Sequence, residues 1–308
     1  MQPLTGHIPG FLQRIAEVNN GLEDLTACQL VPFQADGQRL GYLKQDFMQK
    51  LLQFPTVFVL QQQQAAGSSG RQVLTLAAEH ATMQQRSNAV AGVLESLRKE
   101  QGMFSGWRDE LYPVTAALDA PPALLVERAA APLFGIRAYG VHVNGYVVGA
   151  DGSKKLWVAR RSKSKQTWPG KLDHIVAGGQ PYGLSCAANV AKECWEEAGI
   201  PAELAAAAAP VGFVSYVSMS EEGLKPDVLL CYDLQLPQDF VPQPQDGEVE
   251  EFMLWDLEKV AATISSSTEY KPNCCLVIID FLVRHGLVAP EEAGYLRMVR
   301  GLHAGDPL

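Results

Sequence analysis

Residues 178–200 read GGQPYGLSCAANVAKECWEEAGI, and the glutamates in that stretch decide how the rest of the chain is read. Gly178, Gly179 and Gly183, with Pro181, make a loop that excludes regular structure. Ser185 is an N-cap and Gly199 a left-handed stop, which predicts a helix over Cys186–Ala198. Ala187, Val190, Ala191, Cys194 and Ala198 form its apolar stripe. Glu193, Glu196 and Glu197 leave on the other side, at the end where the helix dipole disfavours carboxylates. Glu193 and Glu197 are four apart, so like charges sit side by side. A solvated acidic face could carry that small cost. A divalent cation would reverse its sign, because hard ions such as Mg²⁺ take carboxylate oxygens and complete their shell with water and phosphate. Lys192 pairs with Glu196 across one turn.

The stretch resembles the signature box of the Nudix hydrolases: Gly, five residues, Glu, seven residues, then Arg-Glu-apolar-x-Glu-Glu-x-Gly-apolar. Gly178, Glu193, Cys194, Glu196, Glu197, Gly199 and Ile200 fall in register. Leu184 stands at the first Glu, and Lys192 replaces the Arg, keeping the charge and losing the fork. RRSKSKQTWPGKLDHIVAGGQPYGLS, WRDELYPV, ERAAAPLFGIRAYGVHVNGYV and EYKPNCCLVIIDFLVRHG are similar to one branch of that family. This branch has an extra N-terminal domain and is related to the Nudix half of thiamine pyrophosphokinase fusions and to plant and fungal members. An apolar residue at position 184 is normal there.

The resemblance implies an α/β class with a mixed-sheet Nudix α/β/α sandwich, preceded by a small α+β domain. It implies hydrolysis of a diphosphate bond with Mg²⁺ or Mn²⁺. The substrate it suggests is a small organic diphosphate, with thiamine diphosphate and its oxidised analogues as the branch's associates, cleaved to monophosphate plus phosphate. Glu193 and Glu197 would be direct metal ligands, and Glu196 a third ligand or the general base. The Gly178–Gly179 backbone would supply a carbonyl ligand or a close approach to phosphate. Two other readings stay open: a non-catalytic ligand sensor on the same fold, and chemistry like that of isopentenyl diphosphate isomerase.

The chain has 308 residues, 47% hydrophobic and 19% charged, with net charge −9. That is a globular composition with room for two domains. An acidic surface argues against a protein that grips nucleic acid by its phosphates, but leaves room for a small anionic ligand at a local basic pocket. Cys28, Cys186, Cys194, Cys231, Cys274 and Cys275 contain no C-x-x-C pair, so inert thiols are expected. With no secretory signal and no membrane-length apolar run, the expectation is a soluble cytoplasmic protein without membrane partners. A homodimer stays open.

Along the chain, 8–19 is an amphipathic helix through Ile8, Leu12, Ile15 and Val18. VPFQADGQRLGYL is a hairpin turning at Asp36-Gly37. QDFMQKLLQF is a short helix stopped before Pro55, TVFVL and QVLTLAAE are strands, and QQQQAAGSSG between them is a loop. A longer helix follows, with Val90, Val93, Leu94 and Leu97 on one face. AALDAPPALLVERAAAPLFG is taken as the connection between an accessory domain, 1–130, and the Nudix domain, 131–308. Beyond it IRAYGVHVNGYVV, KLWVARR, VGFVSYVSMS, DVLLCYDLQL and EVEEFMLWDL are strands. KPNCCLVIIDFLVRHG and EEAGYLRMVRGLH are closing helices.

Substrate-side candidates are Arg160, Arg161, Lys163 and Lys165, four cations in one acidic chain, as phosphate contacts or as a solvated loop. Trp168 is a ring for stacking or a half-buried anchor. Trp107 and Arg108, with Asp109 and Glu110, line the pocket or form the domain interface. Glu248 and Glu250 alternate on one strand face and would reach the metal, while Glu251 points away. His174 reads as a core histidine with a satisfied partner, and His285 as a helix cap.

Overall fold

The computed structural model describes residues 4–27, 30–63, 71–104, 106–245 and 247–305. Helix α1 (Ile8–Val18) buries Ile8, Phe11, Ile15 and Val18, the i, i+3, i+4 face expected of an amphipathic helix. A short α2 (Leu22–Thr26) leads to the hairpin β1 (Val31–Ala35) and β2 (Gln38–Leu43). Asp36 and Gly37 take φ of 51° and 73°, as a two-residue turn that matches strand twist requires. Helix α3 (Gln45–Leu51) precedes β3 (Phe58–Gln63) and β4 (Arg71–Leu76), giving a four-stranded sheet in the order β2-β1-β4-β3. Strand β3 runs into the glutamine tract, pairing Gln61, Gln62 and Gln63 with β4, so that part is not loop. The rest of the expected loop, 64–70, lies outside the described residues, as does Cys28.

Helix α4 (Met83–Gln101) starts on a Thr82–Gln85 capping box and buries Val90, Val93, Leu94 and Leu97 against that sheet's core. The ribbon β5 (Leu111–Val114) and β6 (Leu124–Glu127), a single 3₁₀ turn and α5 (Ala131–Phe134) follow. The stretch expected to be a linker is therefore packed structure. Leu124 and Val126 are core, and the Phe134 ring lies 5.3 Å from Phe33, 5.3 Å from Phe47 and 6.2 Å from Phe58. Its Ala/Pro composition hid a few large side chains that close the first core.

The second body contains β7 (Tyr139–Val148), β8 (Lys154–Arg161), β9 (Leu172–His174), β10 (Val176–Gly179), α6 (Cys186–Ala198), α7 (Ala202–Ala205), β11 (Ala209–Met219), β12 (Leu224–Gln235), β13 (Val249–Asp256), α8 (Leu257–Ser266), α9 (Pro272–Arg284) and α10 (Tyr295–Gly301). The seven-stranded sheet runs β11-β12-β7-β8-β13, with β10 on β7 and β9 on β8. It is mixed: β12 and β7 are parallel, while the other pairs are antiparallel. Alternate residues feed opposite faces. Trp157, Val141, Val143, Tyr232 and Leu234 meet α6, while Leu156, Val158, Leu229 and Cys231 meet α8 and α9. That is the expected α/β/α sandwich.

Two features of this body are not in the sequence reading. Helix α8 is one, although Leu257, Val260, Ala261 and Ile264 form a regular apolar stripe. Helix α1 packs on α8, α9 and α10 rather than on the four-stranded sheet, while Phe134 and Ile136 belong to the first core. Helix α1, expected within 1–130, thus finds its apolar partner at the far end of the chain, and Phe134 and Ile136, expected within 131–308, complete the first core.

Candidate active site

Helix α6 forms where expected. The Ser185 hydroxyl accepts from the Ala188 N–H at 3.1 Å, and Gly199 closes it at φ 61°. Its buried residues are Val190, Cys194 and Ala198, joined by Asn189 and Glu197, while Ala187 is exposed. The three glutamates therefore do not share one solvated patch. Glu197 is only 8% exposed, and its Oε2 accepts from the Ala177 N–H of β10 at 2.7 Å. Glu193 is half-buried beside Gly178. Glu196 turns outward and takes a hydrogen bond from Lys192 at 2.7 Å, with Lys192 also 3.2 Å from Glu193.

Gly178 and Gly179 lie within β10 rather than in a loop. They are glycine for lateral room. A Cβ on Gly178 would meet Glu193 Cγ at 2.5 Å and Oε1 at 2.6 Å, and one on Gly179 would overlap the Tyr112 hydroxyl. Helix α6 is thus held so that two carboxylates press against one strand.

Burial pushes the Glu197 carboxyl well above the usual range, with Asp173, Glu193 and Glu248 adding to the effect and the Ala177 N–H opposing it. Burial also raises Glu193, against the pull of Lys192. No cation among the described residues pairs with Glu197. Two desolvated carboxylates facing one strand fit a divalent cation, whose charge would offset the penalty.

A small cavity of about 10 Å³, enough for one water, is lined by Glu197, Glu248, Asp173, His174, Arg161, Ala159 and Val249. A wider one of about 350 Å³ is lined by Arg108, Ser164, Lys165, Gln166, Gly247 and Glu248. Glu248 borders both. Glu250 does not follow it. A register shift between Val249 and Glu251 breaks the alternation, leaving Glu250 3.5 Å from Lys163 and Glu251 hydrogen-bonded to Arg160 at 2.8 Å.

The four basic candidates are all ion-paired. Arg160 holds Glu251, Lys163 meets Glu250, Lys165 pairs with Glu248, and Arg161 reaches Asp173 at 2.7 Å. Only Arg161 and Lys165 line the cavities. Trp168 sits at φ 53° and is 48% exposed, as a half-buried loop residue would be, and it lines neither cavity. Trp107 lies under Arg98, 4.6 Å from the guanidinium, and its indole donates to Asp109, which keeps it out of the cavity lining. Arg108, in contrast, lines the wider cavity.

Sequence reasoning missed Asp173, Tyr112 and Arg128. Asp173 is held far below the usual carboxylate range: burial opposes the ionised form, but Lys271, His174 and Arg161 outweigh it. Arg128 lies over the Tyr112 ring at 5.5 Å, pairs with Glu110 at 2.7 Å and is close enough to Glu193 to interact with its charge. Only the fold brings these N-terminal residues to the box. His174 is buried as expected, but its Nε2 has no hydrogen-bond partner. His285 does close α9, and its ring also bonds Asp233 at 2.9 Å and Lys154 at 2.8 Å.

Residues 138–272 match the family described as NUDIX domain, and 10–138 match a domain of unknown function, DUF4743. The chain is 46% identical over 299 residues to Nudix hydrolase 20, chloroplastic, of Arabidopsis thaliana, covering 97% of this chain and 79% of that protein. It is 45% identical, at the same coverages, to Nudix hydrolase 24, chloroplastic, of the same plant. A MutT protein structure from Methanosarcina mazei aligns at 20% identity and TM-score 0.37, covering 48% of this chain and 96% of that one. The plant relatives are named chloroplastic, which overturns the cytoplasmic expectation. Among the described residues no helix is long and apolar enough to cross a membrane.

Proposed function

We propose, from the premise that the chain belongs to the Nudix hydrolase family, that it hydrolyses the diphosphate bond of a small organic diphosphate with Mg²⁺ or Mn²⁺ held by Glu193 and Glu197. The observation that carries this reading is the pair of desolvated carboxylates against β10, beside a cavity lined by Arg108 and Lys165. Enzymes of this family generally use divalent metals. Bound here, the ion would neutralise phosphate charge and lower the pKa of water.

The residues divide the remaining work. Glu193 and Glu197 are the ligands, and the Gly178 backbone keeps Glu193 in place. Glu196, salt-bridged to Lys192 at 2.7 Å, keeps the role of a third ligand that a bound ion would draw from that pair. Arg108 and Lys165 turn to the phosphate oxygens, Lys165 leaving Glu248. A water oxygen attacks phosphorus, the bond to the bridging oxygen breaks, and the water proton passes to Glu248, whose carboxylate borders both cavities. Monophosphate and phosphate leave. A cavity of about 350 Å³ suits a small organic molecule rather than a nucleic-acid strand. Thiamine diphosphate or an oxidised analogue is the substrate we favour, on the branch resemblance.

The test is phosphate release from thiamine diphosphate, oxothiamine diphosphate, ADP-ribose, NADH, a nucleoside triphosphate and isopentenyl diphosphate, each with Mg²⁺, Mn²⁺ or chelator. Metal-dependent turnover that peaks on a thiamine compound is expected. A peak on ADP-ribose or a nucleotide would discard the substrate and keep the reaction. Binding without turnover would discard the reaction in favour of a sensor.

A further inference from the structure

Behind the carboxylate site, β7, β9 and α9 bring His142, His174 and Cys274 together, all buried, with ligand atoms within 4.8 Å of one another. The two Nδ1 atoms lie 3.2 Å apart, with the rings edge to face. The Cys274 thiol donates to Asp173 Oδ1 at 2.7 Å, and that oxygen is 3.8 Å from His174 Nδ1. Nothing in the proposed hydrolysis uses His142 or Cys274. Two facing imidazoles share a single hydrogen bond, and His174 Nε2 has none, so the cluster under-uses its polar atoms for a buried group.

We infer that His142, His174 and Cys274 form a transition-metal site of the zinc(II) class, with Asp173 beside it, separate from the hard-cation site on the glutamates. Imidazole nitrogen and thiolate sulfur are borderline or soft donors that suit zinc and not Mg²⁺. Zinc at about 2.0–2.1 Å from nitrogen and about 2.3 Å from sulfur spaces tetrahedral donors roughly 3.3–3.6 Å apart. The nitrogen pair is already near that spacing, and the sulfur has to close by about 1 Å, a side-chain adjustment. On binding, the thiol loses its proton and the thiolate sulfur forms the bond to the metal; Asp173, already accepting that proton, passes it to solvent. Asp173 is itself held by Arg161 and Lys271 at 2.7 and 3.6 Å, while His174 Nε2 has no outer partner. His174 and Asp173 also line the one-water cavity that Glu197 lines.

The test titrates the chelator-treated full chain with Co²⁺, then Zn²⁺. One equivalent of Co²⁺ should give a thiolate-to-cobalt charge-transfer band that one equivalent of Zn²⁺ abolishes. Cys274→Ser should lose the band and weaken zinc binding more than about tenfold. Cys275→Ser, whose sulfur faces the Lys271 carbonyl at 3.9 Å, should keep both. So should Glu197→Gln, which separates this site from the hydrolytic one. A wild-type titration without the band, or a band that survives in Cys274→Ser, overturns the inference. The wild-type result decides even where Cys274→Ser fails to fold.

Discussion

Gly178→Ala separates the catalytic argument from the structural one. The added Cβ would lie 2.5 Å from Glu193 Cγ and 2.6 Å from Oε1, where ordinary contact begins at 3.4 Å. The Glu193 carboxylate must therefore withdraw by about 1 Å, and a misplacement of that size costs about 10²-fold in rate. That is about 2.7 kcal/mol of transition-state stabilisation. The fold should hardly notice. The clash is with the tip of a flexible side chain, and alanine also lowers the entropy of the unfolded chain, worth about 0.4–1 kcal/mol. The assay pairs kcat/KM for metal-dependent phosphate release with Mn²⁺ affinity by electron paramagnetic resonance and Tm by calorimetry. Turnover and Mn²⁺ affinity should fall while Tm stays put. Unchanged turnover with unchanged Mn²⁺ affinity would refute the role given to Glu193. A large loss of Tm would show that the sheet, not the carboxylate, needs the glycine.

Glu197→Gln should raise the Tm of metal-free protein by removing a carboxyl whose ionised form burial disfavours, abolish the Tm gain on adding Mn²⁺, and lower turnover by about 10² or more; calorimetry with and without Mn²⁺ checks all but the last, which the phosphate assay reads. Arg108→Ala should raise KM by about tenfold with kcat little changed, the loss of one charged phosphate contact, with steady-state kinetics as the check. Acid stability should depend on Asp233. Burial raises its pKa, but hydrogen bonds from His285 and Arg284 outweigh this and hold it at about 2, against 3.8 unperturbed. Its folded value is lowered, so its contribution is complete above pH about 4 and lost as pH falls toward 2. Asp233→Asn should flatten denaturant-measured stability in that window, by about 1–2 kcal/mol after solvent screening.

Local signals decided what the sequence disclosed. Helix α6 was legible to the residue because Ser185 and Gly199 are caps, and the Asp36-Gly37 hairpin because its turn needs left-handed residues. The depth of Glu197 was not, since only the angle at which α6 meets β10 decides which carboxylate goes inside. Tyr112 and Arg128 carry no motif and reach the site through the fold alone. Glu250 was misplaced because a bulge leaves no trace in an alternating pattern. Segment 116–135 was misread because composition averages over Leu124, Val126 and Phe134, the few residues that do the packing.

The docking of α1 bears on how the protein is made. Its apolar stripe lies against α8, α9 and α10, the Leu4 N–H bonds the Leu287 carbonyl at 2.7 Å, and Ile8 and Ile15 fill the space beside Gly294 and Gly301. On the ribosome that stripe emerges well before any of its partners. At roughly 5–20 residues per second it waits uncovered for tens of seconds while the intervening chain is synthesised. The intervening first core can close in that time, but the sandwich cannot. Early in synthesis α1 is therefore a loose apolar segment suited to a chaperone, and its docking is among the last steps that lock the second body together.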